Sequence, residues 1–193
     1  KSLLHKKCLL ILFLLLKVYW LSVADNEGDD FADPWGDVPY WTDVVTSKPE
    51  GYKESGDTIY ISTAEGLSWL SSVSNGLNGN AATDFDGKCV VLLDNLDISD
   101  YEWYPIGSVK GFAGTFNGNG RFLRGLVITK RTGRYVALFV KNTGVIENLS
   151  MRNSNVSVKI TTDVCDLAAL VSVNSEGAVV RNCENDGLVE LIS

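Results

Sequence analysis

Four acids, Asp94, Asp97, Asp100 and Glu102, crowd nine residues immediately before Trp103. Carboxylates at that density are what a Ca²⁺ loop needs, and a suitably spaced pair would serve glycoside cleavage. On that reading Asp94, Asp97 and Asp100, with Arg121 as the cation, are the candidate machinery of a polysaccharide lyase or glycosidase. The competing reading is a solvated turn held by ordinary Asx bonds, and the spacing, which fits no metal-loop pattern, favours it. Asp84-Phe85-Asp86-Gly87 is likewise a calcium-loop fragment without its distal Glu. No metal and no cofactor is expected.

Between Glu102 and Glu147 there is no acid but there are seven bases: Lys110, Arg121, Arg124, Lys130, Arg131, Arg134 and Lys141. Such segregation marks either a face for an anionic ligand or partner, or outward strand and turn positions that pair with the acidic spacer at residues 25–57; the second reading is the plainer. Trp103 with Tyr104, or Trp35 with Tyr40 and Trp41, has the aromatic surface to stack on a sugar ring, though a structural role suits Trp103 better. The candidate binding residues are therefore Trp103, Tyr104, Arg121 and Arg124.

Other chemistry is excluded by composition. The only histidine is His5, so a product beginning at residue 25 has no Ser-His-Asp triad, Cys-His pair or His-ligated zinc. The 193-residue chain carries a net charge of −7, and without residues 1 to 24 it holds 13 bases against 24 acids, a net −11. A chain that acidic does not suit a phosphate backbone, and no nucleic-acid partner is expected. Cys89, Cys165 and Cys183 are an odd set for a disulfide framework. Either Cys165 and Cys183 form one bridge in an oxidising compartment, or each thiol fills a small apolar position, which is the favoured reading.

The positioning elements begin with an export signal. Lys1, Lys6 and Lys7 precede the apolar run Cys8 to Leu16, and Ser22-Val23-Ala24 supplies the small residues of a cleavage site, so residues 1–24 read as a secretory signal peptide. Lys17 ends the run after nine residues, short of the ~20 that cross a membrane, so no span is expected after cleavage. Cys8 lies on the wrong side of the run for lipoprotein acylation. Residues 25–57 hold ten acids against Lys48 and Lys53 and read as an acidic spacer. Its aromatics Phe31, Trp35, Tyr40, Trp41 and Tyr52 are expected to fold back onto the domain rather than form a sticky segment, because exposed aromatics are costly in water.

Residues 58–193 form the domain. Ser62-Thr63-Ala64-Glu65 has the form of a capping box with Ser62 as the N-cap, and Leu67, Leu70 and Val73 recur at helical spacing until Asn75-Gly76 stops the helix. After that helix, short apolar runs alternate with turn signals, among them Asn117-Gly118-Asn119-Gly120 as a tight turn. Ala137-Leu138-Phe139-Val140 with Gly144 to Leu149 recurs as Ala169-Leu170-Val171-Ser172 with Gly177 to Cys183, the first pieces 32 apart and Asn148 and Asn182 34 apart. A strand-rich period of that length means stacked units that bury their apolar faces on one another. The expected fold is all-β, a right-handed parallel β-helix of a few rungs with one short N-terminal capping helix.

Residues 59 to 193 resemble the GLUG-motif repeat proteins, bacterial secreted and surface proteins common in Bacteroidetes. The residues that carry the resemblance are the Ile61 to Gly76 helix, Phe85-Asp86-Gly87-Lys88, Trp103-Tyr104-Pro105-Ile106-Gly107, Phe112 to Gly120, Arg124-Gly125-Leu126-Val127-Ile128 and the two repeat cores. The resemblance implies structural roles for Gly107, Gly114, Asn117, Gly118, Asn119, Gly120, Gly125, Leu126, Gly144, Asn148, Gly177 and Asn182. Ala137 with Val140, and Ala168-Ala169 with Ser172, replace glycines of the family pattern, which strains the turn wherever positive φ is needed. Asp57-Thr58-Ile59 is similar to the O-glycosylation acceptor of such proteins. The apolar alternation from Leu188 to Ile192 has no capping element after it, so truncation, further repeats of the same chain or a covering partner is expected there. The function expected is that of a secreted or cell-surface, non-catalytic module for adhesion or for binding a glycan or a host or cell-surface protein. The alternatives are the polysaccharide-cleaving enzyme above and an inert stalk of a larger surface protein.

Overall fold

A computed structural model describes residues 38–130, 133–159 and 164–192. The signal-peptide reading, Phe31, Trp35 and Arg131 lie outside the described residues. Among those described, two short helices accompany a chain made mostly of strands, wound as a parallel β-solenoid of about four turns.

The first elements close one end. Helix α1 (Trp41–Val44) leads to an antiparallel hairpin, β1 (Tyr52–Ser55) and β2 (Thr58–Ile61), and then to helix α2 (Ala64–Asn75). Trp41 is 4% exposed and its indole N–H donates to the Ile98 carbonyl at 3.0 Å. Tyr52 is buried as well, and Tyr40 meets Tyr104 edge to face at 5.4 Å. These three aromatics do fold back, so the chain from Val38 onward packs on the solenoid despite its acids, which stay at the surface.

Helix α2 starts one residue later than its sequence signature suggests. The N-cap is Thr63, in extended conformation, whose hydroxyl accepts from the Gly66 amide at 3.1 Å; Ser62 is not the cap. Gly76, at φ 72°, ends it as expected. The helix lies beneath the first turn. Ser71 Oγ donates to the Tyr104 carbonyl at 2.7 Å, Asn75 Nδ2 donates to Pro105 at 2.8 Å, and Ser74 Oγ accepts from the Gly107 amide at 2.9 Å. Small hydroxyl and amide side chains let the helix sit close and satisfy carbonyls and amides that an ordinary turn would pair with strands.

The turns then repeat. The first carries β3 (Cys89–Leu92) and β4 (Leu96–Asp97). The second carries β5 (Thr115–Arg124), β6 (Val127–Ile128), β7 (Tyr135–Val136) and β8 (Phe139–Asn142). The third carries β9 (Val145–Arg152), β10 (Asn155–Lys159), β11 (Asp166–Leu167) and β12 (Val171–Asn174), and the fourth β13 (Val179–Arg181), β14 (Glu184–Asn185) and β15 (Leu188–Ile192). Strands of successive turns pair in parallel, as β2-β3-β5-β9-β13 on one side and β6-β10-β15 on another. The runs read as strands in the sequence recur among these elements; the β1–β2 hairpin did not announce itself.

Inside, Phe112, Phe116 and Phe139 form an edge-to-face cluster with centroids 5.2 to 6.4 Å apart, and Phe85 adjoins Phe112 at 5.8 Å. Each such pair contributes about 0.5–1.5 kcal/mol beyond simple burial. Leu126 is 1% exposed. Gly144 has no room for a side chain, since a Cβ there would lie 2.1 Å from the Gly114 carbonyl oxygen.

One turn expectation needs correction, and the condition attached to another is not met. Asn117 to Gly120 do not reverse the chain; they lie within β5, where the pairing with β9 shifts register between Asn117 and Arg121. A parallel solenoid has no use for a tight reversal there, and the positive φ of Asn119 (54°) and Gly120 (68°) serves a bulge instead. Ala137, Val140, Ala168, Ala169 and Ser172 all keep negative φ, so replacing glycine costs no strain. Positive φ falls instead on Asn148 (56°) and Asn182 (53°), residues that tolerate it.

Candidate functional site

Register decides which side chains share a surface. Ile59, Val90, Phe116, Ile146 and Val180 stack inward across β2, β3, β5, β9 and β13. Their neighbours alternate outward in two columns, Thr58-Cys89-Thr115-Val145-Val179 and Tyr60-Val91-Asn117-Glu147-Arg181. The hairpin extends both, placing Ser55 opposite Thr58 and Lys53 opposite Tyr60. Neighbouring strands are ~4.8 Å apart, so each column repeats one side chain per turn at that spacing.

The first column carries no charge. At its centre, burial first and the nearby Glu147 second hold the Cys89 thiol above its ordinary pKa, so it stays protonated at neutral pH and is not a poised nucleophile. The second column ends in an ion pair, with Arg181 donating to the Glu147 carboxylate at 2.5 Å. Beside the columns, Asn148 Nδ2 donates to Asn117 Oδ1 at 3.2 Å and Asn182 Nδ2 to Asn148 Oδ1 at 3.1 Å, a ladder of carboxamides through three turns.

The carboxylates picked out by sequence do not converge. Asp97 is engaged by the Arg124 guanidinium and by the Ser99 amide and hydroxyl; the Arg124 hydrogen bond is the main cause holding its carboxyl below the usual range. Asp94 and Asp100 are exposed. Glu102 is fully buried, accepting from both the amide (3.0 Å) and the hydroxyl of Thr129 one turn above. Asp84 makes an Asx turn, accepting from the Asp86 amide at 3.2 Å. Among the described residues no three of His, Cys, Asp and Glu are grouped to hold a metal ion.

The candidate binding residues also separate. Trp103 is 1% exposed and donates its indole N–H to the Leu138 carbonyl at 3.3 Å, so its ring belongs to the core and offers no face to a ligand. Tyr104 is half-buried against Tyr40. Tyr40 is itself pushed up to about 12, by burial first and the Glu102 charge second. Arg124 is taken by Asp97, Arg134 by Asp166 at 2.8 Å, and Lys130 donates to the Val38 carbonyl at 2.5 Å. Arg121, Lys110 and Lys141 are exposed. Among the described residues the base-rich stretch is therefore partly consumed by pairing between turns, its carboxylate partners being Asp97 and Asp166 rather than acids of the spacer. Cys89 and Cys183 are free thiols, and Cys165 and Cys183 pack partly buried against the core.

Sequence reasoning missed Arg152, whose guanidinium lies 4.2 Å from the Phe122 ring centroid, and it missed the two columns entirely. The signal was the strand register, which emerges only when turns of unequal length are aligned. No protein-family model, curated protein or solved structure matches the chain. Among the described residues no helix is long and apolar enough to cross a membrane.

Proposed function

We propose that the chain is a non-catalytic, GLUG-type surface module, exported by the signal peptide at residues 1–24, that binds a glycan or a host or cell-surface protein through the outer face of its long sheet. The observation that supports this reading is the pair of outward columns across β2, β3, β5, β9 and β13, which hold side chains in a fixed array backed by a continuous core. A rigid array loses little conformational entropy on binding, which is where a preorganised surface gains affinity. Tyr60 is its aromatic member, with Lys53 beside it on one side and Asn117 two strands away on the other, beyond Val91. The carboxylates that an enzyme would need are instead engaged or dispersed: Asp97 in an ion pair, Glu102 in the interior.

The test is to screen the purified chain against a broad array of glycans and extracellular-matrix proteins. Saturable binding is expected, and Tyr60→Ala is expected to weaken it about tenfold, the equivalent of 1.4 kcal/mol for one lost aromatic contact. Absence of binding across the array, or binding indifferent to Tyr60→Ala and Asn117→Ala together, overturns the assignment. Release of reducing ends or unsaturated sugars that disappears in Asp97→Asn would instead establish an enzyme.

A further inference from the structure

Many outward polar side chains of the solenoid are spent on the neighbouring turn. Arg124 is held by Asp97, Arg134 by Asp166, Ser150 by Glu184 and Ser157 by Glu190. The two columns that cross β2, β3 and β5 differ. Thr58, Tyr60, Thr115 and Asn117 are all half-buried on that face. Among the described residues the hydroxyls of Thr58, Tyr60 and Thr115 have no hydrogen-bond partner in the protein. Asn117 Oδ1 is filled, accepting from the Asn119 amide at 2.7 Å and from Asn148 Nδ2 at 3.2 Å, while its own Nδ2 donates to no protein group. Four polar groups are thus left over on one backed surface.

That surface carries no charge from β2 to β5, and Val145 continues it on β9. The charges at its margins are closed in pairs, Lys88 with Asp57 at 2.6 Å beside β2 and β3, and Arg181 with Glu147 beyond β5. Of the bordering charges only Lys53, on β1, has no carboxylate partner among the described residues. A uronate- or sulfate-bearing polymer needs several free cations and meets the field of a chain at net −7. A polyamine needs free carboxylates, and Glu147 is taken by Arg181. The face therefore selects a neutral ligand.

Repeat distance narrows the ligand further. Pairing at these positions stays in register from β2 through β3 and β5 to β9, so side chains recur along the solenoid axis at ~4.8 Å. A peptide strand advances ~3.3 Å per residue and loses step with such an array at once. The rings of an extended β-linked pyranose chain advance by nearly one strand spacing and keep step with it. Resting on the reading of this face as a binding surface, we infer that its ligand is a neutral, extended β-linked polysaccharide that lies across the strands along the solenoid axis, one ring per turn. Tyr60 stacks on a ring face, and the Thr58 and Thr115 hydroxyls and Asn117 Nδ2 meet sugar hydroxyls. From β2 to β9 is three strand spacings, about 14 Å, which seats four rings. The Glu147–Arg181 pair bounds the site.

Isothermal titration calorimetry of the 193-residue chain tests this with cello-, manno- and xylo-oligosaccharides of two to six rings, and with oligogalacturonate and sulfated dextran as acidic probes. Binding of at least one neutral series is expected, its affinity climbing to four rings and then levelling, with no dependence on salt because no ion pair forms. Thr58→Val and Thr115→Val keep shape and β-branching, and each is expected to weaken binding about threefold or more at an unchanged urea midpoint, which separates a lost contact from a lost fold. Tighter binding of the acidic probes, affinity that falls with salt or keeps rising beyond four rings, or indifference to both valine variants overturns the inference. So does Tyr60-dependent binding of a matrix protein with none of the neutral series, an outcome that leaves the binding face itself in place. Absence of any Tyr60-dependent ligand removes both.

Discussion

Asn148 offers the sharpest test of how the turns are held in register. It does two separable things: its backbone sits at φ 56°, and its side chain links Asn117 below to Asn182 above at 3.2 and 3.1 Å. Asn148→Ala removes both. The left-handed conformation costs an ordinary L-residue about 1–2 kcal/mol. Two partly exposed amide bonds contribute about 0.5–1.5 kcal/mol each, and the lower half of that range applies where water competes. The expected loss for Asn148→Ala is thus about 2–4 kcal/mol. Asn148→Gly removes the ladder but relieves the φ constraint, at a smaller cost from the freer unfolded chain, so it should retain about 1 kcal/mol relative to the alanine variant. Equilibrium urea unfolding, followed by tryptophan fluorescence and circular dichroism with unchanged m-values, measures both. If alanine and glycine destabilise equally, the left-handed position is not what selects asparagine. If the glycine variant matches the unmodified protein, the carboxamide ladder contributes nothing to stability.

Trp41→Ala should cost about 3–5 kcal/mol in the same assay, since it empties a site 4% exposed, removes the bond to Ile98 and ends the edge contact with Tyr101 at 4.9 Å. A loss below about 1 kcal/mol would mean that residues 38–45 lie outside the cooperative unit. Asp97→Asn tests the pair with Arg124. The folded carboxyl is held below its ordinary 3.8, so its stabilisation is present above that value and disappears as pH falls through the folded value. Because both side chains are about half exposed, the difference between the two proteins at neutral pH should be only about 0.2–1 kcal/mol, and it should vanish in strong acid. A difference that persists in strong acid would show that the two groups do not act as an ion pair.

How much of this was legible in the sequence depends on whether a feature is local. The helix announced itself through a cap, an apolar period and a left-handed stop, and erred by one residue because Ser62 and Thr63 are both competent caps and only tertiary packing chooses between them. The β1–β2 hairpin did not announce itself, since Lys53, Glu54 and Asp57 give it the charge of a spacer while its buried positions, Tyr52, Ile59 and Ile61, are few. The solenoid was readable from the recurrence of Asn148 at Asn182, because an asparagine forced to positive φ is a backbone requirement printed in the sequence.

The outward columns follow a different logic. Tyr60, Val91, Asn117, Glu147 and Arg181 share one column, yet they are separated by 31, 26, 30 and 34 residues. The strands keep register while the corners between them absorb insertions, so no fixed period connects the column's members. Nor does composition, since a solvent-facing column needs no common residue type, whereas the inward column beside it is aliphatic or aromatic throughout. The same effect disguised Glu102. Counted along the chain it is one more acid in a solvated loop, but its partner Thr129 lies one turn up, and that pairing makes it an interior group. In a stacked fold, what a residue meets is set by the turn above and below. Residues that hold register therefore repeat visibly, and residues free to bind something else are those the repeat leaves unspecified.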